Sequence, residues 1–191
     1  SGARGARDGA KGYLTPEDCA AMIRDAPPLS PVATHFYYSD TSYVLAGLAI
    51  EAATGRDLFA LAAERVLKPL GLSATEPAIG VTFRNYATPY VGSSTSPRRR
   101  YVDEKGELPF SPRTEWAGGG FLTCARDLAV LARAYAGGAN RHIATDVVRY
   151  ASAEGVVSGY GIGLFATQSP LGLKHGHGGY FPGATSQWAY L

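Results

Sequence analysis

The sequence has little of several features that would have fixed its class. Only two of its 191 residues are cysteine, too few for a disulfide framework, and neither has the neighbouring histidines and cysteines of a zinc site. No apolar run reaches the roughly 18 residues that a membrane helix requires. The 18 basic and 16 acidic residues give a net charge of +2, which does not favour nucleic acid or an acidic membrane as a partner.

Three signatures of hydrolysis and nucleotide binding are also missing. The chain has no Gly-x-Ser-x-Gly elbow, no Walker-type Gly-Lys-Ser/Thr and no Gly-x-Gly-x-x-Gly after a strand. His175 and His177 alternate along a glycine-rich stretch, but no carboxylate stands near them in the sequence, so a metal pair is not favoured. The sequence therefore predicts neither a cofactor nor a bound metal.

What the sequence does contain is enough apolar material for one folded domain. Hydrophobic residues make up 46% of the chain, which argues against global disorder. Thr15-Pro16-Glu17-Asp18 has the form of a helix start, with Thr15 as the N-cap and Pro16 at the first helical position. Helical patterns extend over residues 16–24, 42–54, 58–67, 125–135 and 141–150.

The pattern changes from helix to strand along the chain. Residues 78–114 hold more β-branched and aromatic residues, which predicts short strands or a long irregular excursion. Residues 160–165, 173–178 and 185–191 are predicted strands. Helices first and antiparallel strands last indicate an α+β fold. We expect one domain over residues 1–191, with a mostly helical lobe at about 13–150 and sheet strands at 156–191.

Two triplets carry the functional information, Tyr38-Ser39-Asp40 and His177-Gly178-Gly179. They belong to a series of motifs in chain order: Thr54-Gly55, Lys68-Pro69-Leu70-Gly71, Ala117-Gly118-Gly119-Gly120-Phe121, Tyr160-Gly161-Ile162-Gly163 and Pro182-Gly183. Over about residues 36–191, this ordered series resembles the serine β-lactamase and penicillin-binding-protein superfamily. The likeness is to its class C β-lactamase, DD-peptidase and esterase branch.

The resemblance implies a β-lactamase/transpeptidase-like fold, in which a helical lobe stands beside an antiparallel sheet with the site between them. Members acylate a serine held in Ser-x-x-Lys, and no lysine of this chain has a serine three residues before it. The residues at that position, for Lys11, Lys68, Lys105 and Lys174 in turn, are Asp8, Arg65, Val102 and Leu171. We therefore expect a fold that is incomplete at both ends and lacks its nucleophile segment.

The resemblance also implies roles for individual residues. Tyr38 would relay a proton between the serine hydroxyl and the leaving group, which requires a nearby cation because a free phenol has a pKa of about 10. His177 would contribute to that catalytic group, and the strand of Gly178 and Gly179 would pair with the bound acyl group. The backbone N–H of Tyr180 would donate to the oxyanion.

Asp40 stands where the family has asparagine. An ionised carboxylate only accepts hydrogen bonds, whereas an amide can also donate. Asp40 therefore favours a substrate that carries a hydrogen-bond donor or a cation, and it departs from what a β-lactam site would use.

Competing interpretations exist for both triplets. Ser39-Asp40-Thr41 imitates Ser-Asp-Asn in a shifted frame, and Lys174-His175-Gly176 also fits Lys-x-Gly. Tyr38 taken alone would be one ring of an aromatic packing cluster. The tyrosine frame is preferred because Tyr43 and the helix after it then fall where the family has them. The His177 frame is preferred because Pro182-Gly183 then has the family's offset.

Three functional hypotheses follow. The first is a serine hydrolase that forms an acyl-enzyme with a peptide, ester or amide, inactive in this chain because the nucleophile segment is absent. The alternative is a non-catalytic member of the fold that binds a peptide or cell-wall fragment. The third is an interaction module in which an exposed sheet edge mediates self-association. A small-molecule or peptide substrate is expected rather than nucleic acid, and the resemblance suggests a periplasmic or secreted protein.

Overall fold

The computed structural model describes residues 13–32, 34–84, 86–136, 148–151, 157–161 and 163–191. Within them, helices dominate the first part of the chain and an antiparallel sheet of five strands forms the last part. The predicted α+β class is confirmed. The helical elements are α1 (Pro16–Arg24), α2 (Asp40–Thr54), α3 (Leu58–Ala62), a π-helical turn (Ala63–Leu67), α4 (Lys68–Leu70), a 3-10 turn (Pro112–Glu115), α5 (Trp116–Gly119) and α6 (Ala125–Ala136).

The helix ends follow the predicted local chemistry. At the start of α1, the Thr15 hydroxyl accepts from the Asp18 N–H at 3.1 Å, and the Asp18 carboxylate accepts from the Thr15 N–H at 3.0 Å. This reciprocal pair is a capping box. Helix α2 ends at Gly55, whose φ of 65° is left-handed, a conformation that costs glycine little. These two helices therefore form where the sequence placed them, with α2 beginning two residues earlier than predicted.

A small helical core holds α2, α3 and α5 together. Its buried residues are Val44, Phe59 and Trp116, and the ring of Phe121 meets that of Phe59 edge-on at 5.2 Å. Helix α2 approaches α5 at Gly47, where an added Cβ would lie 2.8 Å from the Trp116 ring. This close packing holds α2 against the segment around Trp116, and at the start of α2 Asp40 lies beside Gly118 of α5.

Nine strands lie within the described residues. They are β1 (Glu76–Pro77), β2 (Tyr90–Val91), β3 (Arg99–Arg100), β4 (Phe121–Leu122), β5 (Val148–Ala151), β6 (Val157–Tyr160), β7 (Phe165–Ser169), β8 (Gly172–Phe181) and β9 (Ala184–Tyr190). Strand β1 pairs with β4, β2 pairs with β3, and β5 to β9 form one antiparallel sheet in sequence order. The excursion at 78–114 thus holds the two short strands β2 and β3.

Two local predictions are wrong. Residues 160–165 do not form one strand, because a turn closed by the Gly161 N–H and the Leu164 carbonyl separates β6 from β7. The φ of 78° at Gly163 belongs to that turn. A helix over 141–150 is contradicted at its end, where β5 pairs with β6 in the register Val148 to Tyr160. The rest of that segment lies outside the described residues.

The longest pairing joins β8 to β9 and carries the second triplet. Its register sets His177 opposite Trp188 and Gly178 opposite Gln187. Helix α6 packs on β9, with the rings of Tyr135 and Trp188 5.5 Å apart. The sheet and the helical part therefore meet along β8 and β9.

Candidate active site

The structure brings the two triplets together at one place. Tyr38 precedes α2, and its ring lies 5.5 Å from that of Tyr160, 5.9 Å from that of Phe165 and 5.9 Å from that of His177. The Tyr38 side chain remains 42% exposed. Its packing and its access to solvent coexist, so Tyr38 is both a member of an aromatic cluster and available to a bound molecule.

The phenol of Tyr38 lies in an environment that disfavours its ionisation. Partial burial is the largest cause, followed by the negative charge of Asp40 and a hydrogen bond with the Asp40 carboxylate, and together they raise the pKa of Tyr38 to about 12. Glu115 is close enough to contribute, and burial and Asp40 raise the pKa of Glu115 as well. At neutral pH, Tyr38 therefore keeps its proton and serves as a donor.

His177 lies at the centre of a hydrogen-bonded chain. Its Nε2 is 3.2 Å from the Tyr160 hydroxyl, and its Nδ1 is 2.6 Å from the carbonyl oxygen of Gly178. The Tyr160 hydroxyl also bonds to the Tyr43 hydroxyl. Burial, then the bond to Tyr43, raises the pKa of Tyr160 far above its ordinary value, so this phenol stays protonated and can donate.

The end of β8 offers an open strand backbone. Gly178, Gly179 and Tyr180 are all exposed, and the Tyr180 side chain is 76% exposed. The competing triplet lies in different surroundings, since Gly176 is buried and the ring of His175 stacks on that of Tyr190 at 5.4 Å. Of the two competing triplets, His177-Gly178-Gly179 is therefore the more exposed to solvent.

Two cavities are lined in part by residues of this cluster. One, of about 290 Å³, is lined by Phe36, Tyr37, Tyr38, Ser39, Ser42, Tyr43, Ala46 and Tyr160. The other, of about 200 Å³, is lined by Phe165, Thr167, Lys174, Gly176, His177, Gly178, Gln187, Trp188 and Ala189. Both are open at the surface. The first is mostly aromatic, as is usual for a small-molecule site.

The sequence did not indicate every residue of the cluster. Tyr43, Tyr160 and Glu115 all act on the predicted residues, through hydrogen bonds or charge. Tyr160 begins the motif Tyr160-Gly161-Ile162-Gly163, and Tyr43 lies in the same stretch as Tyr38-Ser39-Asp40. Both tyrosines were therefore marked by motifs, but without a role in hydrogen bonding. Glu115 has no such mark, because its effect depends on the approach of α5 to α2.

The described residues hold neither a metal-binding cluster nor a membrane-spanning helix. Among those that the structure describes, no group of three histidine, cysteine, aspartate or glutamate side chains gathers as a metal site. In that part of the chain no helix is long and apolar enough to span a bilayer.

Comparison with known proteins decides the family. A family model described as Beta-lactamase matches residues 2–191. The chain belongs to the beta-lactamase family. The resemblance seen in the sequence is thereby confirmed, and so is the β-lactamase/transpeptidase-like fold.

Solved structures similar to this beta-lactamase-family chain share its fold. A D-stereospecific amidohydrolase from Streptomyces sp. has a TM-score of 0.79 and 28% identity, covering 93% of this chain and 53% of that one. An octameric penicillin-binding protein homologue from Pyrococcus abyssi has a TM-score of 0.74 and 24% identity, covering 96% and 43%. A D-amino acid amidase from Ochrobactrum anthropi SV3, complexed with L-phenylalanine amide, has a TM-score of 0.73 and 21% identity, covering 91% of this chain and 51% of that one. A search of curated proteins found no significant match.

This chain therefore spans about half the length of those neighbours. Two of the three are named for the hydrolysis of amides. The family and these neighbours support a serine hydrolase superfamily for the chain that carries the Tyr38 and His177 cluster.

Proposed function

We propose that this protein is a serine hydrolase that acts on amides through an acyl-enzyme, and that the described residues bind the acyl group and transfer protons. The observation that carries the proposal is the convergence of Tyr38, Asp40 and His177 beside the exposed glycines of β8. Tyr38 and Asp40 are neighbours in the sequence, whereas His177 comes from a distant part of it. A shared cleft, rather than local packing, is the simplest reason for their meeting in a fold of this family.

The proposed chemistry divides the work between a nucleophile and this cleft. A serine oxygen would bond to the amide carbon, the amine would leave with a proton, and water would then release the acid. Tyr38 would relay the proton from the serine hydroxyl to the leaving amine. The backbone at Gly178, Gly179 and Tyr180 would align the acyl group and stabilise its developing negative charge by hydrogen bonding. The 191 residues contain no Ser-x-x-Lys, so the nucleophile of this motif is not among them.

The electrostatics of Tyr38 set a condition on that mechanism. With a pKa of about 12 and acidic neighbours, the phenol can donate a proton at neutral pH but cannot accept one. A cation beside Tyr38 would stabilise the phenolate and lower that pKa. The lysine of Ser-x-x-Lys would supply that charge, so the same segment would bring both the nucleophile and the activation of Tyr38.

The acidic side chains also point to a substrate class. Asp40 is exposed at the start of α2, and Glu115 adds negative charge close by. An amide that carries a protonated amine would be attracted to this place, whereas a substrate carboxylate would be repelled. The name of the 28% identical amidohydrolase agrees with an amide substrate.

Intact-mass spectrometry tests the proposal directly. The 191-residue chain and a polypeptide extended on its N-terminal side are each incubated with a fluorophosphonate and, separately, with a penicillin. We expect an adduct on a Ser-x-x-Lys serine of the extended polypeptide and none on the chain alone. Absence of such a motif and of any adduct in the extended polypeptide would overturn the proposal, and an adduct on the chain alone would assign the attack to another serine.

A non-catalytic, ligand-binding member of the family is the second candidate. The protonated state of Tyr38 favours it, because a phenol that only donates suits binding better than proton abstraction. Titration of the extended polypeptide with acylated D-amino-acid peptides distinguishes the two. Saturable binding without a covalent adduct would select this candidate.

Self-association is the remaining element of the proposal. Strands β5 and β9 lie at the two edges of the described sheet, and Ala184 to Gln187 of β9 are exposed. An unpaired edge can accept a strand from a second copy. A monomeric mass in solution, measured by light scattering at high protein concentration, would remove this element and leave the hydrolase proposal in place.

A further inference from the structure

One chain of hydrogen bonds crosses from the helical part to the sheet. It runs from the Tyr43 hydroxyl on α2 to the Tyr160 hydroxyl at the end of β6, then to His177 Nε2 on β8. It ends where His177 Nδ1 meets the carbonyl oxygen of Gly178. Three elements therefore share one polar connection beside the proposed acyl-binding strand.

The direction of these bonds follows from which atoms can donate. The Gly178 carbonyl oxygen can only accept, so His177 Nδ1 must carry a proton at that contact of 2.6 Å. In the neutral imidazole, Nε2 then has a lone pair and accepts from the Tyr160 hydroxyl. Tyr160 in turn is left to accept from Tyr43. Both ring nitrogens are thus occupied, and neither is free to take a proton from a substrate.

The surroundings keep Tyr160 in place as that donor. Its side chain is 7% exposed, and the rings of Phe165 and Phe36 lie 4.6 Å and 5.3 Å from its own. Burial and the bond to Tyr43 hold the pKa of Tyr160 far above the ordinary range, so the hydroxyl does not lose its proton near neutral pH. A fixed ring with a retained proton is what a positioning group needs.

We propose that Tyr160, aligned by Tyr43, is a positioning residue that holds His177 as its Nδ1-protonated tautomer and directs that proton to the carbonyl of Gly178. His177 then orients the strand that faces the acyl group, rather than removing a proton. This role rests on the proposed hydrolase function, since it concerns the same strand, but the tautomer itself can be observed without turnover.

The test is a long-range ¹H–¹⁵N spectrum of the 191-residue chain with labelled histidines, at about pH 9, where imidazole is neutral. H177Q identifies the signals of His177 among the four histidines. We expect a protonated Nδ1 and an unprotonated, hydrogen-bonded Nε2. Y160F should shift the Nε2 resonance and introduce the Nε2-protonated tautomer, while Y43F, which leaves the Tyr160 hydroxyl in place, should have a smaller effect.

Two internal references keep the outcome decisive. Y37F removes the hydroxyl of an exposed tyrosine that is not part of the chain of bonds and should leave the His177 signals unchanged. The signals of His175, stacked on Tyr190, show whether the sheet of Y160F is intact. An Nε2-protonated or averaged tautomer in the unmodified chain, or no change in a folded Y160F, would overturn the proposal. Mass spectrometry reports the hydrolase function separately, so either inference can fail while the other stands.

Discussion

Gly176 and Gly178 stand on either side of His177, and a side chain would meet opposite conditions at the two positions. A Cβ at Gly176 would lie 2.1 Å from the Trp188 carbonyl oxygen, whereas at Gly178 the nearest atom, the Ser186 carbonyl oxygen, would be 3.7 Å away. Gly176 is buried and Gly178 is exposed. The first glycine allows β9 to pack closely, and the second leaves backbone that a ligand can approach.

The helical part contains the same contrast. A Cβ at Gly47 would lie 2.7 Å from the Ala117 Cβ and 2.8 Å from the Trp116 ring, while one at Gly119 would have nothing within 4 Å. The glycines of this chain therefore fall into two classes: at some positions a side chain would clash with a neighbouring element, and at others there is room for one. The exposed glycines of β8 lie on the strand that we propose contacts the ligand, and substitution can separate them from the buried ones.

The largest effect is expected for Gly176→Ala. The atoms that the methyl group would meet belong to the backbone of β9, so no side-chain rotation can relieve the overlap. We expect the free energy of unfolding to fall by about 3 kcal/mol or more, measured by urea denaturation of the chain. A loss below about 1 kcal/mol would show that β9 can move away, and the comparison with Gly178 would then fail.

Gly47→Ala should have the next largest effect. Here the methyl group would meet side-chain atoms of Trp116 and Ala117, which can shift slightly, and we expect a loss of about 1–3 kcal/mol. Gly119→Ala is the matched control in the neighbouring helix, where open space and lower chain entropy in the unfolded state should leave stability unchanged or raise it by up to about 1 kcal/mol. Equal losses in the two variants would contradict the close approach of α2 and α5.

The elements that could be predicted from sequence are those that local chemistry decides. Thr15 and Asp18 sit within reach of one another in any helix that starts there, and Gly55 ends α2 because it accepts a left-handed conformation. The strand over 160–165 was wrong because its apolar alternation hides a turn at Gly161 to Leu164. Strand β5 was missed because its pairing with β6, rather than local propensity, decides its conformation.

The site was only partly accessible to the same reasoning. The ordered motifs point to Tyr38 and His177, and the structure sets their rings 5.9 Å apart. The bond from Tyr160 to His177 depends on the β6–β7–β8 register and on a ring orientation that no spacing rule specifies. Charge effects such as that of Glu115 on Tyr38 likewise arise only when α5 packs on α2.

Gly178→Ala sharpens the comparison on β8. Since the new methyl group would have no contact closer than 3.7 Å, we expect unfolding free energy within about 0.5 kcal/mol of the unmodified chain. In an extended polypeptide that acylates, the same change should slow acylation about tenfold or more. The methyl group would stand where we propose that the acyl group approaches, and one hydrogen bond is worth about that factor. A stable variant with unchanged acylation would show that the ligand does not use this strand.

The smallest expected effect concerns Tyr38 rather than folding, and it separates the exposed phenol of the cleft from the buried phenol of Tyr160. Asp40→Asn removes a negative charge that opposes the phenolate, so the pKa of Tyr38 should fall from its value of about 12. It should remain above 10, because burial is the larger cause and persists.

Ultraviolet titration measures the pKa of Tyr38, and Y38F identifies its transition. Glu115→Gln, whose charge contributes less, should lower the pKa of Tyr38 by a smaller amount. If Asp40→Asn left the transition unchanged, the carboxylate would not be facing the phenol, and the acidic cleft proposed to attract a protonated amine would lose its main support.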